Sequence, residues 1–254
     1  MPKAGEVAYL DHLDAVGIQH AVNKPFSDPE CGQYLIVLGA IRNLLPPPPA
    51  KLLDLGCGTG WTSCLLGKMG YEVVGQDIAE NMIHYANVNR QSYQLTNVKF
   101  EVSDYEGMGH ENSFDCCLFF DSLHHAEDER LALEKAYAAL KPGGVCITRE
   151  PGTGHAEFEQ SVHAVEQFNV TEKDMPPHKI LAMAKAIGFK QSMTYPYPDQ
   201  LIGTLYQAHR QENNDHSSRR GFLSGLKWFY RSTRRMWVAF QRHQSKGGLV
   251  VLTK

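Results

Sequence analysis

The residues of this chain whose types and spacing could do chemistry fall into two groups. The first is an acid followed by alternating glycines: Asp54, then Gly56, Gly58 and Gly60, ahead of Trp61 in the stretch KLLDLGCGTGW at 51–61. A strand that breaks into such a turn and then a helix offers backbone N–H groups and a helix N-terminus to a ligand. A pyrophosphate fits poorly. The third glycine of the dinucleotide fingerprint falls on Trp61, and Asp54 sets a carboxylate where the phosphates would lie. Walker-A spacing fails too, because Gly67-Lys68 is followed by Met69. The acid suits a cationic ammonium or sulfonium instead. The second group comprises His124, His125, Glu150 and His155. Imidazole titrates near neutrality, so His124 or His155 is suited to take a proton from an acceptor, with Glu150 binding or deprotonating it. Consecutive residues at a helix start point in different directions, so at most one of His124 and His125 faces an acceptor, and His124 is slightly favoured. A packing histidine and an ordinary polar loop at 149–161 are the bland alternatives.

The elements that must position these groups follow from hydrophobic rhythm. Apolar runs predict strands at 51–55, 72–76, 98–102, 115–120 and 145–149, with helices near 60–69, 79–91 and 128–140 between them. Strands that are apolar along their length and joined by helical crossovers imply a parallel sheet covered on both faces. Helix-like spacing over 6–22 and 29–45 precedes them, and Pro46 to Pro49 forbid continuation into the first strand. Further on, 177–188 reads as helix and 190–196 and 247–253 as strands. The expected architecture is α/β: a doubly wound, Rossmann-like, mostly parallel seven-stranded sheet with helices on both faces. Its expected parts are an N-terminal helical cap at 1–50, a core at 51–199 and 247–254, and an inserted segment at 200–246. Ligands belong beyond the carboxyl ends of the strands.

Four points along 35–155 together resemble the class I S-adenosylmethionine-dependent methyltransferases, of the small-molecule, type 11-like kind. They are LLDLGCGTG at 52–60, VVGQDIAENMIHYA at 73–86, VKFEVSDYEGM at 98–108, and the run from Phe114 through LKPGG at 140–144. The resemblance implies S-adenosylmethionine as cofactor, with S-adenosylhomocysteine as product. It implies a cofactor seat formed by Asp54, Gly56, Cys57, Gly58, Thr59, Gly60 and Trp61, with Cys57 contributing its backbone. Asp77 would take the ribose hydroxyls, Ile78 and Met82 would flank the adenine, and Asp104, with Ser103 and Tyr105 beside it, would accept from the adenine amine. Asp121, Ser122 and Leu123 would lie at the methionine end. His20, Lys24, Phe26 and Tyr34 would cover the cofactor.

Composition narrows the partners. The 254 residues are 43% hydrophobic with a net charge of −3, which carries no global signature of nucleic-acid binding. Six cysteines lie mostly within apolar runs, without a Cys-x-x-Cys pair, so reduced core thiols and no metal site are expected. The N-terminus lacks the apolar run of a signal peptide, and a cytoplasmic location is expected, as a monomer or homodimer. Charge is uneven: 200–246 holds nine Lys or Arg against two acids. That segment reads as an amphipathic helix with a solvated basic face, as a lid over an anionic or sugar-linked acceptor, or, through 221–243, as a contact with anionic lipid. The expected activity is methyl transfer to a small-molecule acceptor, a sugar or secondary-metabolite hydroxyl. The alternatives are an N- or C-methyltransferase, a non-catalytic scaffold of the same fold, or a nicotinamide oxidoreductase.

Overall fold

The computed structural model describes residues 2–198, 229–230, 233–234, 237–238, 241 and 247–254. Among the described residues seven strands form one sheet: β1 (Lys51–Leu55), β2 (Glu72–Asp77), β3 (Val98–Val102), β4 (Phe114–Phe120), β5 (Leu140–Pro151), β6 (Gln191–Tyr195) and β7 (Gly247–Thr253). Their order across the sheet is β3-β2-β1-β4-β5-β7-β6. The first five run parallel, and β7 is antiparallel to both β5 and β6. The chain reverses its winding between β1 and β4. That switch point opens a crevice at the carboxyl ends of the strands.

Helices α4 (Trp61–Lys68), α5 (Glu80–Ser92), α6 (Glu129–Ala139) and α8 (Pro177–Ile187) stand where the spacing predicts helices. The side chains of β1 and β4 alternate between two buried layers. Leu53, Leu55, Cys117 and Phe119 pack with Ala132, Leu133 and Ile180 on one face. Leu52, Cys116 and Leu118 pack with Val37, Leu38 and Leu66 on the other. Each leucine buried in this way contributes about 1.5–3 kcal/mol relative to exposure. All six cysteines are free thiols, and five are buried.

Two departures from the predicted elements have local causes. The single helix expected over 6–22 is divided into α1 (Pro2–Ala8), a 3₁₀ turn (Tyr9–His12) and α2 (Ala15–Val22). Asp14 starts α2 afresh, its carboxylate accepting from the Gly17 N–H at 2.8 Å. A further helix, α7 (Glu159–Phe168), lies where no element is predicted, only its first three residues falling within the loop expected at 149–161. Val162, Val165 and Phe168 recur at helical spacing, but polar residues outnumber apolar ones there, and Val162 and Val165 are 41% exposed, so much of that apolar face is left in solvent. Helix α3 (Cys31–Leu44) ends one residue before Leu45 and the prolines, as expected.

The inserted segment expected at 200–246, read as an amphipathic helix, a lid or a lipid contact, lies outside the described residues apart from positions 229–230, 233–234, 237–238 and 241, which are helical. Among the described residues no helix is long and apolar enough to cross a membrane.

Candidate active site

A cavity of ≈ 530 Å³ opens at the carboxyl ends of the strands, between the sheet and the N-terminal helices. Its floor begins at the glycine turn. Gly56 has φ +69°, and a Cβ there would strike the Tyr105 hydroxyl and come within 2.6 Å of the Ser122 Cβ. Glycine is thus the residue that lets three segments meet. The Gly56 and Cys57 N–H groups donate to the Gln76 carbonyl at 2.8 and 2.9 Å, which pins the turn to the end of β2. Thr59 Oγ1 donates to the Ala21 carbonyl at 2.7 Å and ties it to α2.

The two acids of this region have different situations. Asp77 lies on the cavity wall, with Oδ2 accepting from the Gly58 N–H at 2.9 Å and Oδ1 from the Ala79 N–H at 3.0 Å. A carboxylate oxygen has two lone pairs, so each keeps one for a ligand. Burial raises the Asp77 pKa despite those hydrogen bonds. Asp54 is 1% exposed and off the cavity wall. Its Oδ2 accepts from the Thr62 and Ser63 hydroxyls at 2.5 and 2.6 Å, clamping the first turn of α4 to β1. Burial pushes its pKa up to about 6, against the lowering effect of the two hydroxyls. The expected contact of Asp54 with a ligand therefore gives way to an internal role. Gly60 also lies off the wall, packed against Phe100 and Ala86.

Cys57, Gly58, Thr59, Trp61, Ile78, Met82, Asp104, Tyr105, Asp121 and Ser122 line the cavity, as do His20, Lys24 and Tyr34 of the cover; Phe26 is 60% exposed and does not. Burial lifts the Cys57 thiol well above its usual pKa, so it stays protonated and inert. Asp104 is already paired. Lys3 Nζ from α1 reaches Asp104 Oδ2 and Glu106 Oε2, each at 2.8 Å. The lysine's hydrogen bond lowers the Asp104 pKa, and the two acids raise that of Lys3, Asp104 contributing most. Ser103 is turned away, its N–H donating to the Asp77 carbonyl at 3.0 Å and its hydroxyl to the Asp104 carbonyl at 3.1 Å. Asp121 follows β4 with φ +51° and is ion-paired to Arg149. The Arg149 guanidinium lies between the rings of Phe120 and Tyr197, 5.4 and 5.0 Å from their centroids. An arginine inside the apolar run VCITREP of β5 was the available signal, since a charge in a central strand needs a partner.

The far end of the cavity is built from His125, Glu172, Glu6 and Glu127. Glu150 does not reach it. Fully buried, Glu150 accepts from the backbone N–H groups of Ser122, Leu123 and His124 at 3.1, 2.9 and 3.2 Å, and from His124 Nδ1 at 2.7 Å. It shapes the turn after β4 and cannot touch an acceptor. That bond draws His124 inward to 4% exposure and leaves His125 facing the cavity, the reverse of the favoured expectation. Leu123 is fully buried. His155 sits off the wall, its Nε2 donating to Glu172 Oε2 at 2.7 Å.

Burial alone would lower the His125 pKa, but Glu6, Glu172 and the Thr171 carbonyl outweigh it and raise the value to about 9. His125 is then a cation at neutral pH rather than a base. Burial would raise the Glu172 pKa, but His155 and the other two histidines hold it low. Sequence reasoning missed Glu172, Glu6 and Lys3, because none belongs to a motif and each meets the site only through the fold.

The wall chemistry fits a cationic, adenosine-bearing ligand. Among the described residues, seven carboxylates (Glu6, Asp77, Asp104, Glu106, Asp121, Glu127 and Glu172) face the cavity against Lys3, Lys24 and the protonated His125, beside the apolar surfaces of Ile78, Met82, Trp61 and Phe120. Asp77 retains free acceptor capacity for a pair of hydroxyls.

Comparison with known proteins points the same way. Residues 48–214 match a family described as the methyltransferase domain. The chain is 31% identical over 157 residues to phosphoethanolamine N-methyltransferase 1 of Arabidopsis thaliana, covering 57% of this chain and 32% of that protein. It is 27% identical over 147 residues to a ubiquinone biosynthesis O-methyltransferase of Hydrogenovibrio crunogenus, covering 54% of this chain and 61% of the relative. The chain thus spans less than two thirds of the length of either. In fold it resembles phosphoethanolamine N-methyltransferase 2 of Haemonchus contortus, solved in complex with S-adenosyl-L-methionine, with a TM-score of 0.64 and 20% identity, covering 97% of this chain and 59% of that one.

Proposed function

The chain belongs to the methyltransferase domain family, and from that premise we propose that it uses S-adenosylmethionine to methylate a hydroxyl of a small polar molecule. When bound, that cofactor supplies an electrophilic methyl group on a sulfonium. Asp77 would hold the ribose hydroxyls through its two spare lone pairs, Ile78 and Met82 would flank the adenine, and the Gly56–Gly58 turn with Asp121 and Ser122 would take the methionine end.

The observation that carries the acceptor reading is the polar far end, where His125, Glu6 and Glu172 meet on the cavity wall. A hydroxyl acceptor must be held in line and must lose its proton as the new bond forms. The carboxylates of Glu6 and Glu172 can receive that proton, and the protonated His125 can hold the acceptor oxygen. His124, His155 and Glu150 are withdrawn from the wall, so their part is to position this end.

A second reading, methylation of an amine, is favoured by the excess of carboxylates on the wall. The names of the phosphoethanolamine N-methyltransferase relatives support it as well. Incubation of the protein with a ¹³C-methyl donor and an extract of the source organism tests both. A labelled O-methyl product supports the first reading, an N-methyl product replaces it with the second, and no labelled product together with no S-adenosylhomocysteine binding overturns both.

A further inference from the structure

We propose that His124, His125 and Glu172 form a binding site for a divalent first-row transition cation at the far end of the cavity. One donor atom from each of the three lies within 4.8 Å of the others. Donors arranged tetrahedrally around such an ion at about 2.0–2.2 Å are about 3.4 Å apart. His124 Nε2 and Glu172 Oε2 are 3.6 Å apart, so these two already stand near ligand spacing, and a shift of the His125 ring closes the remaining gap.

Hydrogen placement points the same way. His124 Nδ1 faces a Glu150 oxygen at 2.7 Å, and His125 Nδ1 faces the Thr171 carbonyl at 2.6 Å. Both partners only accept, so each ring holds a hydrogen on Nδ1 and leaves Nε2 as its ligand atom; binding an ion there displaces any proton that Nε2 carries. His124 Nε2 already faces a Glu172 oxygen, the two donor types that an ion would join.

Glu150 and the Thr171 carbonyl stand as the outer partners that orient metal-bound histidines. His155 does the same for the carboxylate, donating to Glu172 at 2.7 Å. Three carboxylates gather here: Glu172, Glu150, and Glu6, whose Oε1 is 3.4 Å from His125 Nδ1. A divalent charge offsets them. Two imidazoles and one carboxylate suit zinc, manganese, iron, cobalt or nickel rather than magnesium, which prefers oxygen donors. His125 and Glu172 line the cavity, so the remaining coordination positions open toward the acceptor end. The expectation of no metal came from cysteine spacing, and none of these ligands is a cysteine. Only the use of the ion in holding an acceptor oxygen rests on the methyl-transfer reading; binding itself does not.

The test uses the full chain, free of any histidine tag and stripped with a chelator, titrated with cobalt(II) alone while its visible absorption is followed. One equivalent should bind with a ligand-field band in the visible range. Glu172→Gln and His125→Asn should each weaken binding about tenfold or more, and Glu150→Gln by about ten- to a hundredfold. Circular dichroism identifies a variant that fails to fold; His125→Asn, at the partly exposed ligand, then carries the comparison. Absence of stoichiometric binding, or binding that neither folded variant weakens, overturns the proposal. S-adenosylhomocysteine titrated into the same samples keeps the two readings apart, since its binding without metal binding defeats this proposal alone.

Discussion

The two ends of the cavity are built in opposite ways. At the β1–β2 end, Gly56, Gly58 and Asp77 lie within two short sequence runs, and Asp77 is satisfied by backbone N–H groups of its own turn and the neighbouring one. At the β4–β5 end, Glu6, His125, Glu150, His155 and Glu172 come from five separate segments and lean on one another's side chains. The first end can tolerate loss of one side chain because the backbone geometry persists. The second is a mutually supporting network in which removing a member leaves buried groups without partners.

That contrast is broken most severely at Glu150. Glu150→Ala strands three buried backbone N–H groups and the His124 ring, and should destabilise the fold by about 4 kcal/mol, as read from the denaturant midpoint. If the loss is within about 1 kcal/mol, the far end is not a coupled network.

Next comes Asp54, on the glycine-turn side. Its folded pKa of about 6 lies above the usual carboxylate value, so the folded state holds the proton more tightly than the unfolded state. Its contribution to stability should therefore fall as pH rises from 4 through 6, by about 3 kcal/mol in all. Thermal midpoints measured across that range should vary less with pH in Asp54→Asn; an unchanged profile would remove the clamp assignment.

Asp77→Ala, by contrast, should leave the fold nearly intact and cost about a hundredfold in S-adenosylhomocysteine affinity by calorimetry, two hydrogen bonds to a charged group being lost. Unaltered affinity would count against the cofactor seat. The smallest effect is expected at Lys3, whose ion pairs with Asp104 and Glu106 are about one-third solvent-exposed or less. Lys3→Gln should change stability by less than about 1 kcal/mol, and a larger loss would show that α1 is held mainly through this clasp.

Legibility followed the same division. The residues of β1, β3 and β7 match the predicted strands, and the other four strands differ at their ends, because an apolar run flanked by turn residues is a local property. Asp77 was read at the end of β2 for the same reason. The sequence was silent on which way an acid at a strand end turns. Asp54 faces Thr62 and Ser63 rather than the cavity, because those hydroxyls lie in the first turn of α4, within hydrogen-bond reach of its carboxylate. It was equally silent on which of two adjacent histidines faces the ligand, which Glu150 decides from 26 residues away.

By itself, then, the sequence determined the α/β rhythm, the glycine turn, and the order in which the acids Asp77, Asp104 and Asp121 arrive at the crevice. These depend on side-chain period, on backbone sterics and on charge carried within a few residues. Only the tertiary structure decided that Lys3 pairs with Asp104, that Asp121 is taken by Arg149, and that three histidines and three glutamates meet at one end. Such contacts join residues far apart in the chain, and a buried charge selects its partner by proximity in space, which no local pattern encodes.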